Sequence, residues 1–213
     1  MRVAAQATPF VVALCLMAAL TAWLAGPWYA APAALLILFT LYFFRDPERV
    51  PPPGEGLVLS PADGRVTSVE RRPEGDRVSI FLSLLDCHIN RSPVAGRVVE
   101  VRRTAGRFRP AWRRGAGSEN ERNHLVISSA RGRYGVTQVA GVLARRIVCS
   151  KRPGDEVRRG ERIGMIRFGS RTDLHLPPGV VTEVAVGDRV YGGLTVVGRE
   201  IRAAAGAAGG TAR

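Results

Sequence analysis

The chain has 213 residues, 46% of them hydrophobic, and a formal net charge of +13 at pH 7. This length suits a membrane anchor and one domain of roughly 150 residues, so we expect no second catalytic domain. Lys151 is the only lysine, and this arginine-rich balance favours an anionic lipid surface or a nucleic acid as partner. Cys15, Cys87 and Cys149 have no Cys-x-x-Cys spacing, which indicates reduced, buried thiols rather than a disulfide framework or a zinc site.

The first predicted elements are two membrane-spanning helices. No charged residue occurs from Val3 to Phe44, and one helix of that length would run about 63 Å, twice the roughly 30 Å hydrocarbon core. A break at Gly26-Pro27 gives spans of about residues 9–25 and 28–44 within an anchor of residues 1–45. Arginines flank both ends and none lies at the tip, which places both ends and the following domain in the cytoplasm. A secretory signal peptide is the alternative for the first span.

A proline-rich linker, residues 46–56, follows the anchor and cannot continue the helix. From residue 57 to residue 201, short runs rich in Val and Ile alternate with Gly, Pro and Asp turns, which predicts a mainly β domain. Residues 202–213 are an Ala/Gly low-complexity tail that we predict to be disordered.

Two internal repeats occur within the β domain. Ser-Pro-Ala-Asp-Gly-Arg-Val at 60–66 matches Ser-Pro-Val-Ala-Gly-Arg-Val at 92–98, and Gly-Asp-x-Val with a later Gly at 154–160 recurs at 187–193. Each pattern is typical of a tight turn into a strand. We therefore predict two similar hairpin layers that form a lipoyl- or biotinyl-like β-sandwich or flattened barrel.

Residues 102–115 contain six arginines and two aromatic residues. One interpretation is a solvated loop. Another is a membrane-facing flap, in which Phe108 and Trp112 enter the headgroup layer while Arg113 and Arg114 bind anionic lipid or substrate, each arginine contributing about 1 kcal/mol. Aromatic residues among arginines also suit single-stranded RNA. With a membrane anchor in the same chain, the lipid surface is favoured and no nucleic-acid partner is expected.

The candidate acid/base residue is His88, which lies in Asp-Cys-His-Ile-Asn at 86–90. An extended backbone would place Asp86, His88 and Asn90 on one polar face and Cys87 on the other. This arrangement allows acid/base chemistry but argues against a Cys-His nucleophile pair. His124 and His175 lack metal-ligand spacing, and we predict structural roles for both, with a site-lining position open for His175.

A Gly-Ser bond occurs at Gly169-Ser170 and again at Gly117-Ser118. Either pair is typical of a turn. In a β-rich segment such a bond also permits self-processing. Ser170 attacks the carbonyl of Gly169 and the peptide rearranges to an ester; elimination frees the Gly169 carboxylate, and hydrolysis of the resulting dehydroalanine releases ammonia and leaves a pyruvoyl group at residue 170. Asp63, in a Pro-Ala-Asp-Gly turn, is likewise open to a turn-forming or a catalytic role.

Several of these motifs occur together in one order: residues 60–64 (Ser-Pro-Ala-Asp-Gly), 86–93 (Asp-Cys-His-Ile-Asn-Arg-Ser-Pro), 120–122 (Asn-Glu-Arg), 138–141 (Gln-Val-Ala-Gly), 144–147 (Ala-Arg-Arg-Ile) and 168–170 (Phe-Gly-Ser). In this order the chain resembles the phosphatidylserine decarboxylase proenzymes, most of all their short, membrane-anchored form, over about residues 43–197.

The resemblance implies a pyruvoyl-dependent decarboxylase of the cell (inner) membrane, with no metal. Cleavage between Gly169 and Ser170 would give a β chain ending at 169 and an α chain starting at 170, which remain associated. Asp63, His88 and Ser170 would hold the acid/base and nucleophile positions. Phosphatidylserine would form a Schiff base with the pyruvoyl group, lose CO2, take up a proton from His88 and leave as phosphatidylethanolamine. Formation of a homo-oligomer is left open.

Two positions depart from the family pattern. Many members have Thr where Arg171 stands, and longer forms carry a second histidine where Arg91 stands. Whether His88 serves cleavage, decarboxylation or both is therefore left open.

The alternative function is a membrane-anchored lipoyl-like adaptor or carrier without catalytic activity. A carrier needs a lysine at a hairpin tip, and Lys151, which precedes Arg152-Pro153, is its candidate.

Overall fold

The computed structural model describes residues 2–106, 120–141, 146–167 and 170–201. In this part the protein is mainly β, with two helices at its N-terminal end, α1 (Thr8–Ala25) and α2 (Ala31–Phe43). Several residues singled out in the sequence lie outside the described ranges: Gly169, Phe108, Trp112, Arg113, Arg114 and the tail 202–213.

The two helices form an antiparallel hairpin. The chain reverses at Gly26, which has a φ of 108°, and short 3-10 helices, Ala5–Ala7 and Pro27–Ala30, precede α1 and α2. Strand β1 (Arg2–Val3) pairs with β2 (Arg45–Asp46), so the two ends of the hairpin lie side by side. By length and composition, helix Ala5–Ala25 is suited to cross a membrane, whereas the apolar run Pro27–Phe43 is shorter.

The hairpin leaves its apolar side chains uncovered by protein. Leu16 and Leu24 of α1 are each 68% exposed, and Leu35 of α2 is also 68% exposed. Trp23 and Trp28 at the tip are more than 80% exposed. Such a surface is unfavourable in water and is typical of a segment that contacts lipid.

The remaining strands are all paired antiparallel. They are β3 (Leu57–Leu59), β4 (Gly64–Glu70), β5 (Arg77–Leu82), β6 (Ile89–Arg91), β7 (Gly96–Thr104), β8 (Arg122–Ser129), β9 (Gly132–Val139), β10 (Ile147–Cys149), β11 (Glu156–Val157), β12 (Arg162–Ile166), β13 (Ser170–His175), β14 (Val180–Thr182), β15 (Arg189–Val190) and β16 (Val196–Glu200).

One curled sheet of eight strands has the order β11-β7-β8-β9-β13-β5-β4-β15, and two three-stranded sheets have the orders β10-β12-β6 and β14-β16-β3. The main core lies between the large sheet and the small ones, because Ile163 of β12, Val58 of β3 and Val197 of β16 join the inner apolar residues of the large sheet. A second cluster joins Phe43 and Phe44 to Ile89 and Met165. The helical hairpin is therefore packed directly against the β10-β12-β6 sheet.

The repeated motifs make equivalent contacts. A Cβ at Gly64 would lie 2.1 Å from the carbonyl oxygen of Phe81, and one at Gly96 would lie 2.2 Å from that of Ser128, so glycine is required where each copy enters its strand. The backbone hydrogen bonds also match: Leu59 N to Pro93 O at 3.0 Å and Arg91 N to Pro61 O at 2.9 Å, Val66 N to Asp188 O and Val98 N to Asp155 O, both at 2.9 Å. The likeness to lipoyl domains remains a prediction.

Candidate active site

Ser170 is the first residue of β13 and lies opposite Leu82 of β5. It is fully buried, and its Oγ has no hydrogen-bond partner among the described residues. Alternation along the strand puts Thr172 and Leu174 on the same inner face, where Leu174 joins the main core. A buried hydroxyl without a partner costs free energy, which makes this atom a candidate for reaction rather than for structure.

His88 precedes β6 and is also fully buried. Its ring centre lies 4.3 Å from that of Phe43, at the end of α2. Nδ1 is 2.9 Å from the backbone oxygen of Asp86, and since a carbonyl oxygen only accepts hydrogen bonds, Nδ1 carries the ring proton. The other nitrogen, Nε2, then presents a lone pair, and in the described part of the chain it has no partner.

Burial keeps the His88 ring neutral. Loss of solvation lowers its pKa to about 4, against smaller opposing effects from Asp86 and Asp63. At neutral pH His88 is therefore a base with a free nitrogen.

A chain of buried amide side chains links the segments that carry His88 and Ser170. Asn90 Nδ2 donates to Thr172 Oγ1 at 3.1 Å. Gln138 Nε2 donates to Asn90 Oδ1 at 2.7 Å, and Asn123 Nδ2 donates to Gln138 Oε1 at 3.0 Å. All four residues are at most 3% exposed. The chain links β6 to β13, which belong to different sheets.

The Asn90–Thr172 hydrogen bond links the segments that carry the two candidate reactive residues. His88 lies two residues before Asn90, and Ser170 lies two residues before Thr172. His88 Nε2 and Ser170 Oγ do not bond to each other. Catalytic hydrogen bonds are often long before the reacting complex forms, so this gap is compatible with proton transfer.

Asp63 does not contact His88 directly. Its carboxylate forms a two-point ion pair with Arg49, at 2.5 and 2.7 Å, and accepts the backbone N–H of Gly192 at 2.8 Å. Its charge raises the pKa of His88, although by less than burial lowers it. Asp63 therefore acts on His88 through its field and anchors the linker residue Arg49.

Asp86 faces away from the His88 ring. Its carboxylate accepts Ser83 N and Ser83 Oγ, both at 2.7 Å, and pairs with Arg189. The predicted polar face of Asp86, His88 and Asn90 thus divides: the carboxylate stabilises the β5–β6 turn, while Asn90 joins the amide chain.

Arg91, which stands where longer relatives carry a second histidine, has a structural role. It is 3% exposed and donates to Gly160 O at 2.9 Å and Pro47 O at 2.7 Å. These contacts tie the linker after the membrane hairpin to β6. Because the position of Arg91 carries no histidine here, and because His124 and His175 lie together at the Thr137 hydroxyl, His88 is the remaining histidine candidate for the site.

His175 lies on the outer face of β13, opposite to Ser170. Its Nε2 is 3.1 Å from Thr137 Oγ1, and His124 Nδ1 is 2.8 Å from the same hydroxyl. The two rings meet edge to face at 5.5 Å. This position does not fit the site-lining role left open for His175.

The cysteines differ in burial, which corrects the prediction of three buried thiols. Cys87 is buried, Cys149 is half-buried and Cys15 is exposed on α1. Burial raises the pKa of the Cys87 thiol, so it is protonated and inert, and it packs on the face away from the reactive one.

Lys151 does not suit attachment of a prosthetic group. Its Nζ pairs with Glu161 at 2.5 Å, and its side chain is 16% exposed. This contact counts against the carrier interpretation.

Asn90 and Gln138 are site residues that sequence reasoning did not assign. Gln138 belongs to a matched family motif and Asn90 to the predicted polar face. The available signal was an amide within an otherwise apolar strand, but their mutual contact joins positions 48 apart in the chain.

Comparisons with known proteins identify the family of the chain. The family model described as phosphatidylserine decarboxylase matches residues 36–198. The phosphatidylserine decarboxylase proenzyme of Solibacter usitatus is 44% identical over 203 residues, which cover 94% of this chain and 98% of the relative. That of Gluconobacter oxydans is 49% identical over 211 residues, covering 91% and 92%. Nitratidesulfovibrio vulgaris has one that is 46% identical over 198 residues, covering 89% and 91%. The chain belongs to the phosphatidylserine decarboxylase family.

Proposed function

We propose that this chain is the proenzyme of a phosphatidylserine decarboxylase, which cleaves its own backbone between Gly169 and Ser170. Cleavage gives a β chain of residues 1–169 and an α chain of residues 170–213 that starts with a pyruvoyl group derived from Ser170. The observation that carries the proposal is the buried, unpartnered Oγ of Ser170 in the region of a neutral histidine with a free nitrogen.

His88 acts as the general base for self-cleavage. Its Nδ1 proton is held by the Asp86 carbonyl, so Nε2 can accept the proton of the Ser170 hydroxyl as the oxygen attacks the preceding carbonyl. A base of this kind contributes about 10²- to 10⁴-fold to a rate. The same nitrogen, once protonated, can return a proton to the product carbon after decarboxylation.

The structure supports an α chain that stays bound after cleavage. Strand β13 lies in the middle of the eight-stranded sheet and pairs with β5 over residues 170–175 and with β9 over residues 171–175. Strands β14, β15 and β16 also come from residues after the cleaved bond and pair within the sheets. Separation of the chains would break these ladders and open the core, so the two chains behave as one folded unit.

The residues around Ser170 fit a pyruvoyl group. The position is enclosed and its hydroxyl is bound by no described side chain, so the change from serine to a smaller planar carbonyl disrupts no hydrogen bond. A pyruvoyl group supplies an electrophilic carbonyl that accepts the electron pair released on loss of CO2. Asn90 and Thr172 hold the strand that bears it, and burial keeps water away from it.

The substrate reaches the site from the membrane. The end of α2 meets the β domain beside His88 through Phe43 and Phe44, and Phe10 of α1 stacks on Phe44. The β5–β6 turn next to them exposes Leu85 by 63% and is tied to α2 by Tyr42, whose hydroxyl donates to Leu85 O at 3.2 Å, and by Arg45, which donates to the same oxygen at 2.7 Å. We place this turn against the cytoplasmic surface of the cell membrane.

Intact mass measurement of the purified full-length protein, with and without borohydride, tests the function. We expect a 44-residue α chain whose mass rises by two hydrogen atoms on reduction of the ketone, and release of CO2 from phosphatidylserine. An α chain that begins with ordinary serine, or a single uncleaved chain without activity, would contradict the proposal.

A further inference from the structure

An arginine lies beside the membrane end of the site. The guanidinium carbon of Arg167 is 5.6 Å from the ring centre of Phe10 in α1. Phe10 stacks on Phe44 at 5.6 Å, and Phe44 contacts Phe43, which covers His88. Arg167 therefore lies where the helical hairpin meets the β domain, which under the proposed function is the level of lipid headgroups.

A second arginine is its neighbour. The Arg167 N–H donates to the Arg146 carbonyl oxygen at 3.3 Å, as the adjacent residues Ile147 and Ile166 pair between β10 and β12. Arg146 is exposed, whereas the Nε of Arg167 is buried. Burial and the charge of Arg146 both lower the pKa of Arg167. Two like charges are thus held side by side.

Neither arginine is neutralised within the described part of the chain. No carboxylate there pairs with Arg146 or Arg167, and the Arg167 Nε has no hydrogen-bond partner. Other arginines around the site differ, since Arg49, Arg162 and Arg189 each pair with an aspartate. A desolvated donor in a cationic pair is unfavourable unless an anion binds it.

We propose that Arg146 and Arg167 bind the phosphate of the substrate's headgroup. This inference rests on the proposed function, and it names the part of the lipid that these residues recognise. A phosphodiester presents two oxygens to the forked guanidinium donors, a geometry that arginine matches better than lysine.

Chain connectivity gives the pair a consequence for catalysis. Arg167 precedes Ser170 by three residues, a span of at most about 11 Å. In phosphatidylserine, two carbons separate the phosphate ester oxygen from the amine. A phosphate held by Arg167 therefore leaves the amine and carboxylate of the headgroup within reach of residue 170, while the acyl chains extend along Phe10 toward the bilayer.

Steady-state kinetics of the full-length protein in detergent micelles containing phosphatidylserine test the proposal. The variants are R146Q, R167Q and the double variant, and the control is R133Q, which removes the same charge from an exposed arginine at the far end of β9. Gel analysis first measures how completely each variant is cleaved. Inorganic phosphate is added as a competitor in a second series.

We expect R146Q and R167Q each to be cleaved normally. Each should raise KM about tenfold or more, as the loss of a charged hydrogen bond predicts, and should change kcat little. The control R133Q should behave like wild type. Inhibition by inorganic phosphate should weaken in the double variant. If inhibition weakens while KM for phosphatidylserine stays unchanged, the two arginines bind free phosphate only, and the proposal is wrong. Unchanged KM, an equal rise in R133Q, or slowed cleavage with normal KM would overturn it. Binding of short-chain phosphatidylserine to the uncleaved S170A protein separates the two ideas. Arginine-dependent binding to S170A, together with a wild-type protein that is not cleaved and releases no CO2, would contradict the function and retain this site.

Discussion

Strand β13 has two polar faces of opposite character. On the inner face, the hydroxyl of Ser170 lacks a partner in the described part of the chain, while Thr172 beside it accepts a hydrogen bond. On the outer face, Arg171 binds Asp173 at 2.8 Å, and His175 shares the hydroxyl of Thr137 with His124. Both faces are largely buried, so solvent does not account for the difference.

The two faces of β13 separate the hydroxyl proposed to react from the polar groups that stabilise the fold. On the outer face each polar side chain has at least one partner: Arg171 Nη2 donates to Asp173 Oδ2 at 2.9 Å, and His175 and His124 share the Thr137 hydroxyl. The inner face holds a buried hydroxyl without a hydrogen-bond partner in the described part of the chain, which is costly for stability and which the proposed function uses as the nucleophile. Arg171 belongs to the outer face, so its departure from the threonine found in many relatives does not alter the reactive face.

The largest expected effect comes from the inner face. S170A removes the nucleophile, and we expect a single uncleaved 213-residue chain on a denaturing gel, with no decarboxylation. The matched control is S118A, which alters the second Gly-Ser pair and should be cleaved as wild type is. Two fragments from S170A would place the cleavage elsewhere.

Replacement of His88, the proposed base, should have the second-largest effect. H88A is expected to slow cleavage by about 10²- to 10⁴-fold, measured as the cleaved fraction over time after cell-free synthesis. Because the His88 pKa is about 4, the neutral base persists above that value. Cleavage of the wild type should therefore vary little between pH 5.5 and 8 and decline as the pH approaches 4. H124A, on the outer face, serves as the control, and equal rates in H88A and wild type would exclude His88.

The outer ion pair should affect stability without affecting cleavage. Asp173 and Arg171 have side-chain exposures of 4% and 14%, and loss of one partner leaves a buried charge, which costs about 3–5 kcal/mol. D173A should lower the denaturant midpoint by a corresponding amount, while the protein that folds is still cleaved at Ser170. Restored stability in an R171M/D173L double variant would identify the isolated charge as the cause.

Changes to the chain of buried amide side chains should affect both stability and cleavage. N90A removes the donor to Thr172 and leaves Gln138 without its acceptor, with an expected loss of about 1–3 kcal/mol. Because Asn90 also links β6 to β13 through Thr172, cleavage should slow as well, by about tenfold. T137V on the outer face is the matched control, which should lose similar stability but keep the wild-type cleavage rate.

The smallest effect concerns pH. Burial lowers the His175 pKa to about 4 from 6.5, with opposing influence from Asp173 and reinforcing influence from His124, Arg77 and Arg72. The unfolded chain then binds more protons than the folded one between these values, so the free energy of unfolding falls as pH drops from about 6.5 to 4. For this half-buried ring we expect about 1–2 kcal/mol. Denaturant unfolding of H175Q should show a shallower decline than wild type, and identical slopes would contradict the prediction.

Much of the fold was accessible from local patterns. The uncharged run ending at Phe44 predicts a helical hairpin, and the described helices lie within two or three residues of the predicted spans, with a turn at Gly26 as expected. The alternation of Val-rich runs with turns predicts a mainly β domain. Such patterns are read reliably because each reports on the burial of a single face.

The site was only partly accessible. Its key residues, Ser170 and His88, are identifiable from motifs, but the sequence does not show that Asp63 pairs with Arg49 or that His175 lies on the outer face. Strand alternation is known only when the strand's ends and partners are known, and both are set by long-range pairing.

By itself the sequence determined the two apolar helices, the β character of the domain, the family motifs and the position of the Gly-Ser pair at 169–170, because these depend on hydrophobicity, turn residues and order along the chain. Tertiary structure decided the protonation of His88, the amide chain from Asn123 to Thr172, and the unpaired arginines beside Phe10. Those properties arise from burial and from contacts between distant segments, and both exist only once the strands have paired.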